Sequence, residues 1–133
     1  SQTPPPPDPP RNHAMPHLTL EYSSNLSLDP AASLAALNRC LADSGLFEEA
    51  DIKSRALALD IFCVGTAATP RAFAHAKLSL MPGRSMDTRK QLADSLLAAL
   101  SPLVQAAPGT ELQLCVELFE IDRASYAKES RRV

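Results

Sequence analysis

The chain has 133 residues, 45% of them apolar, which suffices for one compact domain and is too short for two of ordinary size. A formal net charge of −2, no Trp, two Tyr and four Phe exclude the basic patch and the aromatic stacking platforms of nucleic-acid binders. Cys40, Cys63 and Cys115 are odd in number and show no CxxC spacing, and no apolar run approaches a membrane span. Neither a disulfide framework nor a zinc site is expected, no cofactor is called for, and a reducing cytoplasm is the default location.

Residues 1–14 read SQTPPPPDPPRNHA, a low-complexity, extended segment with no apolar face to bury. No secretory signal is visible in it, because it is proline-rich rather than basic and then apolar. It reads as an expression scar or an upstream segment ahead of a natural start at Met15, the alternative being a proline-rich ligand for a partner domain. The expected division is residues 1–15, the extension with its initiator Met, and 16–133, the domain.

From His17 to Tyr22 the residues alternate, with Leu18, Leu20 and Tyr22 opposite His17, Thr19 and Glu21, which predicts a strand. Asp29-Pro30 offers an N-cap and a proline for the first helical position. Leu34, Leu37 and Leu41 follow at helical spacing, and Ser44-Gly45 is a stop. A second extended stretch is expected from about Ile52 to Val64, with Leu57, Leu59 and Ile61 sharing a face with Lys53 and Arg55. Gly65 to Pro70 reads as a loop.

The order then repeats. Ala72 to Leu80 alternates as a strand, Pro82-Gly83 breaks it, and Ser85 is placed to cap a helix. Leu92, Leu96, Leu100, Leu103 and Val104 form one stripe, which Pro102 must kink or end. After the Pro108-Gly109 turn, Glu111 to Ile121 is a last strand with Leu112, Leu114, Val116 and Leu118 on one face. Two β-α-β units in tandem predict an α/β (α+β) fold, one four-stranded sheet with both helices on one face. The other face would carry Thr19, Glu21, His75, Lys77, Gln113 and Glu117 with Phe73, Cys115 and Phe119. That mixture suits a solvated face or one buried in an oligomer with its charges paired, and the residues alone leave the two open. His75 reads as a satisfied structural histidine, Glu21 and Glu117 as paired interface carboxylates, and Cys63 and Cys115 as small core residues.

Several segments resemble one family in matching order. They are Met-Pro-His-Leu-Thr-Leu-Glu-Tyr-Ser-Ser-Asn-Leu (15–26), Ser-Gly-Leu-Phe (44–47), Ile-Lys-Ser-Arg (52–55), Ala-Phe-Ala-His (72–75), Gly-Arg-Ser-Met-Asp-Thr-Arg (83–89) and Val-Glu-Leu-Phe-Glu-Ile (116–121). Together they resemble 5-carboxymethyl-2-hydroxymuconate isomerase, of the tautomerase superfamily, over essentially all of 15–126. The resemblance implies a cyclic homotrimer whose sheets enclose a central barrel. It also implies an activity, Δ-isomerisation of an unsaturated 2-hydroxy polycarboxylate in homoprotocatechuate degradation. Pro16, freed as the N-terminal residue, would be the general base.

The chemistry suits those residue types. An α-amino group titrates near ~7.7 to 8.0, far below lysine at ~10.4, so it is available as a base at neutral pH. A substrate with three carboxylates calls for cations. By resemblance Arg84 is the active-site arginine, just before a helix N-terminus that itself favours anions. The family's other binding arginine aligns with Lys53, which keeps the charge and loses the planar fork. Arg55, two residues on and on the same strand face, is placed to substitute. The alternatives are another tautomerase activity on a smaller oxo-acid, which Lys53 favours, and a non-catalytic trimeric binding or assembly protein.

Overall fold

A computed structural model describes residues 15–133; the proline-rich segment 1–14 lies outside the described residues. The elements are β1 (His17–Ser23), β2 (Leu26–Ser27), α1 (Pro30–Asp43), β3 (Lys53–Leu59), β4 (Arg71–Leu80), α2 (Met86–Leu100), β5 (Gln105–Ala106) and β6 (Glu111–Glu120). The four long strands form one sheet in the order β3-β1-β4-β6. The β1/β3 and β4/β6 pairs are parallel, and β1 and β4 join the two units antiparallel. This is the tandem β-α-β arrangement the sequence predicts. The short β2/β5 pair, which the periodicity does not announce, closes the far end.

Each helix starts where its cap predicts. The Asp29 carboxylate accepts from the Ala32 N–H at 3.1 Å with Pro30 following, and the Ser85 hydroxyl accepts from the Thr88 N–H at 3.1 Å. Gly45 ends the first helix with φ +73°, a left-handed conformation that glycine adopts without strain. Pro102 sits in a 3₁₀ turn, Ser101–Leu103, so α2 stops at Leu100.

Burial follows the alternation. Leu18 and Leu20 of β1 and Ala72, Ala74, Ala76, Leu78 and Leu80 of β4 are buried beneath Leu37 and Leu41 of α1 and Leu92, Leu96 and Leu100 of α2. Leu112, Leu114, Val116 and Leu118 of β6 pack against the same core. Three small alanines on β4 let the helices approach the sheet while the leucines fill the gaps, each buried leucine contributing roughly 1.5–3 kcal/mol.

Two expectations are corrected. The second strand ends at Leu59, not Val64, because Ser23↔Leu59 is the last pair on β1 and a strand cannot continue without a partner for its N–H and C=O groups. Ile61 beyond it is 97% exposed. Cys63 and Cys115 are exposed rather than in the core: Cys63 lies in the loop after β3, and the alternation of β6 turns Cys115 to the face of Gln113 and Glu117.

The two units repeat one detail. The Lys53 N–H donates to the carbonyl of Pro16 at 3.2 Å, and the Glu111 N–H to that of Pro70 at 3.0 Å. Each pair joins the first residue of an outer strand to the proline that precedes the inner one.

Candidate active site

The starts of β1 and β3 and the ends of β4 and β6 share one end of the sheet. Pro16 is there, fully buried, with Met15 before it only 6% exposed. The parallel register places His17 opposite Lys53 and Thr19 opposite Arg55. Because alternate strand residues share a face, Lys53, Arg55 and His17 lie on the side of the sheet away from the helices. Three of the four predicted site residues, Pro16, Lys53 and Arg55, thus come together here.

The two β3 cations differ in their commitments. The Lys53 ammonium donates to the Asp51 carbonyl at 2.9 Å, which turns it back toward its own chain. Arg55 is exposed, and its Nη2 lies 3.2 Å from Nδ1 of His17. Arg84 occupies the loop after β4, at the same end of the sheet but toward the helix layer, where its Nη2 donates to the Leu46 carbonyl at 2.7 Å. Leu46 also lines a groove of about 560 Å³ between the helices, with Cys40, Ser44, Thr88, Gln91 and Leu92.

His17 is a member of this cluster that sequence reasoning missed. A guanidinium only donates, so Nδ1 of His17 accepts and the ring is the neutral Nε2–H tautomer. Its Nε2–H then donates to the Tyr126 hydroxyl at 3.1 Å, with the rings edge to face. Burial lowers the pKa of His17 below its ordinary value, and the charges of Arg55, Lys53 and Lys128 lower it further. The alternation that sets His17 beside Thr19 was visible. Its neighbours on β3 and the C-terminal segment appear only once the strands are paired.

On the same sheet face, His75 meets Glu117 at 2.6 Å and Lys77 meets Glu21 at 3.4 Å. His75 is therefore a satisfied histidine, and both carboxylates are paired across strands. Burial and the neighbouring Glu117 raise the pKa of the Cys115 thiol, the reverse of what an activated thiolate needs.

A family model for 5-carboxymethyl-2-hydroxymuconate isomerase matches residues 16–131. The chain is similar to a 5-carboxymethyl-2-hydroxymuconate Delta-isomerase of Escherichia coli, 30% identical over 110 residues that cover 81% of this chain and 86% of that protein. The crystal structure of a 5-carboxymethyl-2-hydroxymuconate isomerase from Deinococcus radiodurans R1 superposes with a TM-score of 0.78 at 31% identity, covering 91% of this chain and 93% of that one. A fused 4-OT wild-type symmetric trimer shares the fold, with a TM-score of 0.66 at 18% identity over 84% of this chain and 90% of its own.

Proposed function

The chain belongs to the 5-carboxymethyl-2-hydroxymuconate isomerase family, within the tautomerase superfamily, and from that premise we propose that its amine of Pro16, once Pro16 is the first residue, is the base of a keto–enol isomerisation. The substrate is an unsaturated 2-hydroxy polycarboxylate of aromatic-ring degradation. The base removes the enol O–H proton, the O–H electron pair becomes part of the new carbonyl, the conjugated double bonds shift, and the proton is returned to carbon. No atom is gained or lost, so the reaction is an intramolecular transposition of C=C bonds.

The observation that supports this reading is that a buried proline, Pro16, shares one end of the sheet with His17, Lys53 and Arg55. A secondary amine at that end, next to His17 in the chain and on the strand that pairs with Lys53 and Arg55, would share it with cations that favour the uncharged, proton-accepting form. Arg55 and Arg84 present guanidinium forks suited to carboxylates, and Lys53 adds charge. The commitment of Lys53 to Asp51 supports a second reading, a tautomerase of a smaller oxo-acid with fewer carboxylates.

The outer sheet face, with His75–Glu117 and Lys77–Glu21 paired and Phe119 44% exposed, fits burial in a homotrimer. Sedimentation at micromolar concentration is expected to return the mass of three chains. A cytoplasmic site of action accords with three unpaired cysteines. The test of function is the decay of enol absorbance with the chain beginning at Pro16, on 5-carboxymethyl-2-hydroxymuconate and on a mono- and a dicarboxylic enol. Preference for the tricarboxylate is expected, preference for the smaller acids selects the second reading, and no turnover of any of them removes both.

A further inference from the structure

The residues after β6 stay on the sheet. The Ile121 N–H donates to the Leu80 carbonyl at 2.8 Å, and Arg123 Nη2 to the Pro82 carbonyl at 3.3 Å. Tyr126 meets His17 at 3.1 Å, and the Lys128 ammonium pairs with the Asp51 carboxylate at 2.9 Å. With strands in the order β3-β1-β4-β6, these contacts step from the end of β4 to the start of β1 and then to the residues just before β3. The C-terminal segment is a strap laid across the sheet end that carries Pro16. Its last anchor is this ion pair, whose Lys128 and Asp51 side chains are 22% and 15% exposed.

We infer that Tyr126 and His17 are positioning residues that hold the Arg55 guanidinium ready for a substrate carboxylate, which makes the C-terminal strap part of the site. The inference rests on the function proposed above. Arg55 stands on an edge strand, exposed, and a long side chain there is otherwise free to sample many rotamers. Its bond to Nδ1 of His17 fixes one arm of the fork and leaves its other N–H groups for a ligand.

That bond needs a lone pair on Nδ1. Tyr126 accepts the proton of Nε2 and so keeps His17 in the tautomer that offers one. Lys53 is no equivalent partner, because its ammonium is held by the Asp51 carbonyl.

The arrangement is sensitive to protonation of His17, which removes the acceptor and sets two cations against each other. The groups facing the ring are Arg55 and Lys53 from β3, Tyr126 and Lys128 from the strap, and the neutral Ser79 opposite on β4. Asp51 is paired with Lys128, and the amine of a freed Pro16 is the neighbour along the chain.

The experiment compares the chain beginning at Pro16 with its His17→Phe, His17→Asn and Tyr126→Phe variants, using 5-carboxymethyl-2-hydroxymuconate as substrate between pH 5 and 8. Thermal melts confirm folding. Asparagine can offer an amide oxygen near the place of Nδ1 and cannot be protonated. His17→Phe is expected to raise KM about tenfold or more with kcat within about threefold. Tyr126→Phe should raise KM about threefold near pH 8, where the ring is neutral and its tautomer is no longer held, and His17→Asn should restore KM and abolish the parent's rise in KM below pH 6.5. An active parent with KM and pH profile unchanged in Tyr126→Phe, the mildest variant, overturns the inference and leaves the proposed function standing. An inactive parent overturns the function and the inference with it.

Discussion

Leaving Pro16 in a peptide bond should abolish most of the isomerase activity while preserving the fold. The lone pair of an amide nitrogen is delocalised into the carbonyl, so Pro16 joined to Met15 is no base at neutral pH. A positioned general base contributes about 10²- to 10⁴-fold, which sets the expected deficit of the longer form. Access adds to this, because Met15, only 6% exposed, occupies the space beside the Pro16 nitrogen. Stability should move the other way. Among the described residues, removing residues 1–15 takes away the burial of one methionine side chain, at most about 1.5–3 kcal/mol, and leaves the Lys53-to-Pro16 bond and the β1 ladders in place. The assay is enol decay on two preparations, one with residues 1–15 and one starting at Pro16, each accompanied by a denaturant titration. Equal kcat/KM in the two forms would refute the reasoning and reduce Pro16 to a strand-start proline.

Arg84→Ala should lower kcat/KM by about ten- to a hundredfold, the equivalent of a charge-assisted hydrogen bond of roughly 1.5–3 kcal/mol, and steady-state kinetics on the tricarboxylate decide it. Stability should decline as pH falls below His17's ordinary value of 6.5, because its pKa is lowered in the folded chain and the unfolded chain takes up the proton first. The contribution of His17 is complete above that pH and lost as pH falls through the folded value, so urea titrations of His17→Asn should show a weaker dependence across the same window. Leu78→Ala, at a fully buried position on β4, should cost about 2–5 kcal/mol in the same measurement, and a loss under 1 kcal/mol would contradict the packing described.

The alternating and helical periods made the four long strands and two helices legible, since each buries one face against a single core. Turn chemistry at Asp29, Ser85 and Pro102 located the helix ends. The end of β3 was hidden because Ile61, Phe62, Cys63 and Val64 resume an apolar run just after Asp60. What stops the strand is the length of its partner β1, and Phe62 instead packs edge to face on Phe73 with ring centroids 6.1 Å apart. The family resemblance supplied Pro16, Lys53 and Arg84, and strand alternation added Arg55, two residues after Lys53 on the same face. Pro16, Lys53 and Arg55 meet through strand pairing, whereas Arg84 reaches the same sheet end from the helix layer. His17, Tyr126, Asp51 and Lys128 carry no motif. Their contacts join residues 109 and 77 positions apart, a relation that only the folded sheet creates.

The hydrogen bond repeated at Pro16 and Pro70 gives the sheet two poles of the same backbone design. Pro70 opens the second unit as Pro16 opens the first, at the opposite pole. On the function proposed above, what would distinguish the poles is connectivity as much as side chains, since a terminal proline amine arises only where the chain is cut just before such a proline. A circular permutant opened between Pro70 and the preceding residue, with the old ends joined, would transfer the terminal amine to the other pole. There an ion pair, Arg71 with Glu111 at 3.4 Å, stands where Lys53 and Arg55 stand at the first pole.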